Sequence, residues 1–411
     1  TARRIICCEK SVIFIIDSPF FKDYNIYNNY NGYSNDYIKN ELKRRGKTVI
    51  TMEFPNHEDT RRSEELASKI AIIAVNNNVD TIFSLNYFPV AAIAANACKI
   101  KYVSWTYDSP YIQLYSKTIE FSTNYAFVFD KSEYMKLKRI GAENVYYLPM
   151  AAIVEEYDNV GISEADEKKY GADIAMIGSM YSEKKHLLMR HFGKIDDYTK
   201  GYVDGLIAAQ KQVFGIDIME SALTEEIVKN IQKSAPLEES GDGFERLNWT
   251  FSKYFLAREL TRIERYEYIE ALSQKYKVTL YTHEATPGLV NVNNRGTLDY
   301  YEEMPKAIKC SRINLNISLR SIVTGIPLRA MDILGCGGFL MTDYREDMLD
   351  FFVPDEDFVY YDSKESLVEK CGHYLNSEDE RLRIAENGYK KAKKYHSLSK
   401  RLDYIEKIIE Q

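Results

Sequence analysis

Short apolar runs alternate with longer amphipathic stretches along the first third of the chain. The runs at 12–16, 48–53, 81–84, 102–106, 126–129 and 145–148 are rich in Val, Ile, Phe and Tyr and predict strands. Between them, 35–45, 63–76, 89–98 and 131–140 carry apolar residues at helical spacing. Strands separated by helices of this length imply βαβ units and a parallel sheet. The pattern resumes with strands at 173–177, 278–281, 312–317, 338–342 and 358–361, followed by helices at 364–375, 379–395 and 399–410. Residues 181–275 interrupt it with little strand signal. Their last helix is marked by Leu256, Leu260, Ile263, Tyr266, Ile269 and Leu272, three or four residues apart. The stretch 17–35, rich in Asn and Tyr, reads either as a lid or ligand-binding loop or as a long ordered loop.

Length and charge narrow the function classes. A chain of 411 residues exceeds one hydrophobic core, so two domains are expected. The net charge of −7 argues against a nucleic-acid groove. The basic cluster at 390–394 reads as a solvated helix face. Cys7, Cys8, Cys98, Cys310, Cys336 and Cys371 form no C-x-x-C and suit reduced thiols. His186 and His191 lack a third ligand nearby, and no D-x-D appears, so no metal is expected. No apolar run reaches the length of a membrane span and no complete signal peptide is seen, so a soluble cytoplasmic protein is expected. P-loop, G-x-G-x-x-G and G-x-S-x-G patterns are missing.

The densest chemistry lies in NLNISLRSIVTGIPLRAMDILGCGGFLMTD. It predicts a strand, a polar loop, a helix opened by Pro327, a glycine pair and a second strand. Arg329 and Asp332 share one helix face at i and i+3. Arg329 suits bidentate binding of a diphosphate, and equally a salt bridge with Asp332. Gly337 and Gly338 end the helix and let backbone approach closely. Gly178 and Ser179 follow the first strand of the second half, where backbone N–H groups can meet phosphate. Ser318 and Arg320 follow the 312–317 strand, and Thr282 follows 278–281, again at strand ends. In the first half, Asp108 follows a strand beside Trp105 and Tyr107. It reads equally as a base facing a cleft or as an Asx cap of the turn at Pro110. Asp17, before Ser18-Pro19, has the same local chemistry, whereas Asp130 reads as a helix cap.

The same run resembles the C-terminal domain of GT-B glycosyltransferases, in which a helix bearing a Glu precedes A-x-A-C-G. Asp332 stands five residues before Gly337, where that Glu would be. The segment looks more closely like the CgeB-like (spore-maturation-protein-like) glycosyltransferases, in which an Arg three residues before the acid is usual. The likeness extends to WTYDSP at 105–110, FDKSEY at 129–134, GAENVYYLPMAA at 141–152, RLRIAENG at 381–388 and YHSLSKR at 395–401. It implies two Rossmann-like domains facing a cleft. Residues 1–152 form the acceptor side, 153–395 the nucleotide-sugar side with a helical insertion at about 181–275, and 396–411 a helix crossing back. Asp332 is then expected to hold ribose and Arg329 to stabilise the leaving nucleotide. The expected partner is a nucleotide-sugar, UDP-sugar first, and the acceptor is a protein, a surface polymer or a small molecule. One departure matters: many retaining members carry a second acid eight residues before the first, and here that place is Thr324. Retention is expected from the kinship, while Asp108 keeps inversion open. A nucleotide-sugar epimerase or hydrolase, or a binding protein without catalysis, are the rival readings.

Overall fold

The computed structural model describes residues 11–17, 35–54, 59–182 and 194–411, with the Asp17 side chain, most of the 17–35 stretch, His186, His191, Cys7 and Cys8 outside the described residues. Six strands form a first sheet: β1 (Val12–Asp17), β2 (Thr48–Glu53), β3 (Thr81–Leu85), β4 (Lys101–Thr106), β5 (Asn124–Val128) and β6 (Val145–Tyr147). Their order is β2-β1-β3-β4-β5-β6 and every pairing is parallel. Helices cover both faces, so the central strands are buried on both sides; all five residues of β3 are buried. The helices begin where the sequence supplies a cap. Ser63 accepts from the Leu66 N–H at 3.1 Å, and Pro89 opens its helix without needing its missing donor.

The second sheet contains β7 (Ala172–Ile177), β8 (Val278–Tyr281), β9 (Val292–Asn294), β10 (Ser311–Asn316), β11 (Leu340–Asp343) and β12 (Val359–Tyr361). Its order is β12-β11-β10-β7-β8-β9, again parallel, and it reverses direction between β7 and β10. In an open α/β sheet that reversal opens a crevice at the carboxyl ends of the two strands. The edge strand β9 is short, polar and exposed, which is why no apolar run announces it.

The insertion between β7 and β8 is helical among its described residues, and it reaches the first domain. Helical segments Leu247–Thr250, Phe251–Leu256 and Ala257–Ser273 run on from one another, the middle one wound as π-helix. Trp249 is buried against Tyr115 of the first domain, ring centroids 4.5 Å apart, and the Tyr254 hydroxyl accepts from the Ile112 N–H at 2.8 Å. Arg61 pairs with Glu245 at 2.9 Å. The final helix, Leu398–Ile409, also returns to the first domain, where Arg45 pairs with Glu406 at 2.7 Å and Asp403 at 2.9 Å. The carboxyl ends of β4 and β5 meet the loop after β10: Ser109 Oγ lies 3.1 Å from Ser321 Oγ, and Asp130 accepts from the Val323 N–H at 2.7 Å. Two Rossmann-like sheets facing one another, with a returning terminal helix, constitute the GT-B arrangement. No helix among the described residues is long and apolar enough to cross a membrane.

Candidate functional site

Three loops of the second domain gather at the reversal point. Gly178, with φ +152°, turns the chain after β7 where an added Cβ would meet the Arg265 guanidinium at 3.5 Å. The backbone N–H groups that follow point inward, as a phosphate cradle requires, but they already hold an anion. Glu284 accepts from the N–H of Met180, from the N–H of Ser182 at 2.6 Å and from the Ser179 hydroxyl at 2.9 Å. Thr282 donates to the same carboxylate at 3.1 Å. Burial pushes the Glu284 pKa up, and these donors outweigh it and hold the group below the usual carboxylate range. Gly178, Ser179 and Thr282 are therefore brought together, around a side chain that no sequence motif singles out.

The loop after β10 is anchored by a second buried network. Asp343, at the end of β11, accepts from the Ser318 N–H at 3.1 Å and the Ser318 hydroxyl at 2.7 Å, and it pairs with Arg345. Arg320 turns away from the interdomain seam toward the insertion. Its Nη2 lies 3.0 Å from Glu264 and donates to the Gln210 carbonyl at 3.1 Å, and its guanidinium stacks on Phe214 at 4.0 Å. Burial pushes Glu264 up to about 7 in spite of this pairing. In this position Arg320 fastens the insertion to the sheet rather than presenting itself to phosphate.

Arg329 and Asp332 do form the expected pair, at 3.0 Å, with different surroundings. Pro327 lies just before the helix Leu328–Gly335, in extended conformation, rather than at its first position. Asp332 is fully buried and accepts from the hydroxyls of Tyr157 at 2.8 Å and Tyr300 at 3.0 Å; burial pushes its pKa up against the pull of Arg329. Arg329 stays partly exposed and also contacts the Met304 sulfur. Gly337 and Gly338 are not beside this pair. The helix runs back against the strands, so they fall at the amino ends of the sheet, away from the crevice. A Cβ on Gly338 would come within 2.7 Å of Ile308 and 2.8 Å of Asn314, a packing reason for the residue.

On the first domain, Asp108 sits in the turn after β4. Its carboxylate accepts from Asn86 Nδ2 at 2.8 Å, while Asn86 Oδ1 takes the N–H groups of Tyr107 and Asp108. Burial pushes Asp108 up to about 6. It lines an interdomain cavity of about 20 Å³, room for roughly one water. Asp130, Glu133, Ser321 and Lys253 share that cavity. Lys253 comes from the π-helical segment and is held by Asp217 at 2.8 Å, which keeps its pKa above the usual value against the effect of burial. Trp105 is a core residue, fully buried and donating to the Leu148 carbonyl at 3.3 Å; it packs edge-on against Tyr107 at 5.0 Å. Asp17 ends β1, and its side chain lies outside the described residues.

Asp130 does more than cap its helix. It accepts from the Ser132 N–H at 2.9 Å as a cap, and from the Thr324 hydroxyl at 2.9 Å across the seam. Thr324, the position without an acid, thus lies directly on one. Glu284, Glu264 and Lys253 carry no sequence signal, because each acquires its partners from segments distant in the chain. No group of three or more His, Cys, Asp and Glu residues that could hold a metal ion occurs among the described residues. Cys98, Cys310, Cys336 and Cys371 are free thiols.

Facing Rossmann sheets with charged loops at a reversal point define the GT-B fold. Residues 258–407, which include β8 to β12, match the glycosyl transferase-like family. Among solved structures, a glycosyltransferase from Rickettsia africae is similar over 97% of this chain and 98% of its own, at 12% identity and a TM-score of 0.54. Sucrose-phosphate synthase from Thermosynechococcus elongatus is similar over 98% and 99%, at 10% identity and 0.52. Anabaena HepE in complex with UDP-glucose is similar over 97% and 99%, at 11% and 0.51. No curated protein sequence matches the chain.

Proposed function

We propose that this protein transfers a sugar from a nucleotide-sugar, bound by the second domain, to an acceptor entering over the first. The proposal includes the CgeB-like kinship inferred from the sequence, a cytoplasmic site of action and no metal. The observation that carries it is the meeting of the Asp108 turn with the loop after β10, where Ser109 and Ser321 lie 3.1 Å apart. An acceptor hydroxyl beside Asp108 would stand next to a donor held at the reversal point of the second sheet. Asp108 is the proposed base, with a pKa suited to accepting a proton near neutrality. Arg329 is the proposed partner of the diphosphate, and Asp332 that of the ribose once Tyr157 and Tyr300 give way. UDP-sugars are the first donors to test. Retention is the stereochemistry proposed from the kinship, with Asp130 the acid nearest Thr324, whereas single displacement with Asp108 as base gives inversion, and the anomer of the product separates the two.

One observation favours a second reading. The place that carries a second acid in many retaining members is Thr324 here, as in a protein that keeps the cleft and binds without transferring. Calorimetric titration with UDP, GDP, dTDP and CDP, on wild type and Asp332→Ala, tests the donor site. Binding of one nucleotide that the variant weakens is the expected result. No binding by any of the four would remove the reading. Turnover of the corresponding donor sugars, with and without acceptor extract, then separates transfer from hydrolysis and from binding alone.

A further inference from the structure

The YHSLSKR segment, which the donor and acceptor loops leave unused, borders an open groove of about 740 Å³ on the seam where the chain crosses back to the first domain. Tyr147 and Pro149 form one wall, Phe351 another, and Lys394, Lys400, Arg401 and Tyr404 the rest. Tyr147 and Phe351 lie nearly parallel, 27° apart with centroids at 6.4 Å. Tyr395 and Tyr404 keep about half of their surface in solvent, 52% and 40%. Among the described residues, no carboxylate lines the groove.

Arg401 is the residue that gives this groove a preference. It is 7% exposed, yet no described carboxylate lies within ion-pair distance of it. Its Nε donates to the Met150 carbonyl at 3.4 Å and its Nη2 to His396 Nδ1 at 2.6 Å. That imidazole is neutral, since burial and the adjacent Arg401 and Lys391 hold its pKa down at about 3. The guanidinium itself is pulled down to about 10 by burial. Buried charges in proteins are normally paired, because desolvation alone costs several kcal/mol in effect. Here the local protein supplies two neutral acceptors and two more cations at the rim. Lys394 lies over the Tyr395 ring at 4.7 Å, and Lys400 has the exposed Asp403 at 3.5 Å as its sole described ion partner.

We infer that this groove binds a phosphorylated ligand, its phosphate completing Arg401 with help from Lys400 and its apolar or ring body lying on Tyr147, Phe351 and Tyr404. Guanidinium and phosphate match bidentately, and aromatic faces accept either a sugar ring or a lipid chain. A soluble sugar phosphate and a phospholipid headgroup present the same group, so two probes separate them. The site is distinct from the proposed donor loops and does not depend on the glycosyl-transfer reading.

The test is titration of the full chain with glucose 6-phosphate in one arm and cosedimentation with vesicles of equal parts phosphatidylglycerol and phosphatidylcholine in the other. Binding in one arm, weakened about tenfold by Lys400→Gln and by Tyr404→Ala while UDP titration is unchanged, is the expected result. Arg401→Gln should abolish it, but that side chain also supports Met150, so the two rim variants decide the matter if Arg401→Gln fails to fold. Binding in neither arm, or binding that both rim variants leave intact, overturns the inference. Pure phosphatidylcholine vesicles control for apolar adsorption, and equal binding to them likewise overturns it.

Discussion

The Thr324 hydroxyl donates to the Asp130 carboxylate at 2.9 Å, a bond between the second domain and the first. The same carboxylate takes the N–H of Val323 at 2.7 Å, and Gly325 leaves no room beside it: a Cβ there would stand 2.8 Å from the Asp130 backbone. Asp130 is thus both a helix cap and a latch across the seam. Asp130→Ala should destabilise the protein by roughly 2 kcal/mol, the combined effect of a lost cap and an orphaned N–H. Urea unfolding measures it, and a change within about 0.5 kcal/mol, the range of ordinary surface substitutions, would show that the latch contributes nothing.

Asp108 gives a pH dependence whose sign is fixed. Its folded pKa is about 6 against an ordinary value of 3.8, so the folded state binds the proton more tightly than the unfolded chain. That contribution is present below pH 4 and is lost as pH rises through 6. His396 acts in the opposite sense, and comparison with a variant at Asp108 alone cancels it. Asp108→Asn should therefore gain stability relative to wild type between pH 4 and 7, by up to about 3 kcal/mol at 1.36 kcal/mol per pKa unit. The same variant should lose turnover, and wild-type kcat/KM should rise with an apparent pKa near 6. A variant equally stable at all pH values relative to wild type would refute the burial of this charge.

Glu284 occupies the N–H groups that a donor phosphate would use. Removing its charge while keeping its size should help an anion enter. Glu284→Gln is expected to bind UDP about tenfold more tightly than wild type, equivalent to about 1.4 kcal/mol. Unchanged affinity in titration would mean that phosphate does not reach this turn.

Arg320 and Arg329 should separate cleanly on substitution. Arg320→Ala leaves Glu264 buried without its cation, and a loss of about 3–5 kcal/mol is expected for breaking such a pair. Arg329→Ala leaves Asp332 with two tyrosine hydroxyls, so the fold should persist while turnover disappears. Thermal melts with parallel assays check both. Wild-type turnover in Arg329→Ala would remove the proposed role of that residue.

The sheets are legible in the sequence because parallel strands buried on both faces are written as local apolar runs; 48–53 and 278–281 coincide with β2 and β8. The edge strand β9 and the short helices Val154–Asp158 and Glu164–Tyr170 are not, since few of their residues are apolar and buried. Site residues are harder for a different reason. Arg320 looks free in the sequence because Glu264 lies 56 residues away, and only the folded insertion brings them together. Trp105 suggests a stacking surface beside a polar turn, whereas strand alternation in β4 points it into the core. The glycine pair looks adjacent to Arg329 because sequence distance hides the direction of a helix that returns along the sheet.

The insertion joins the first domain through Trp249 and Tyr254, and the crossover joins it again through Ala152, whose N–H donates to the His396 carbonyl at 2.9 Å. A door hung on two pins swings only about the line between them. Parting the two halves about that line must also break the Asp130 latch and the Ser109–Ser321 contact. Trimming the Trp249 side chain would therefore change the route by which the halves separate while leaving the shape of each half as it was.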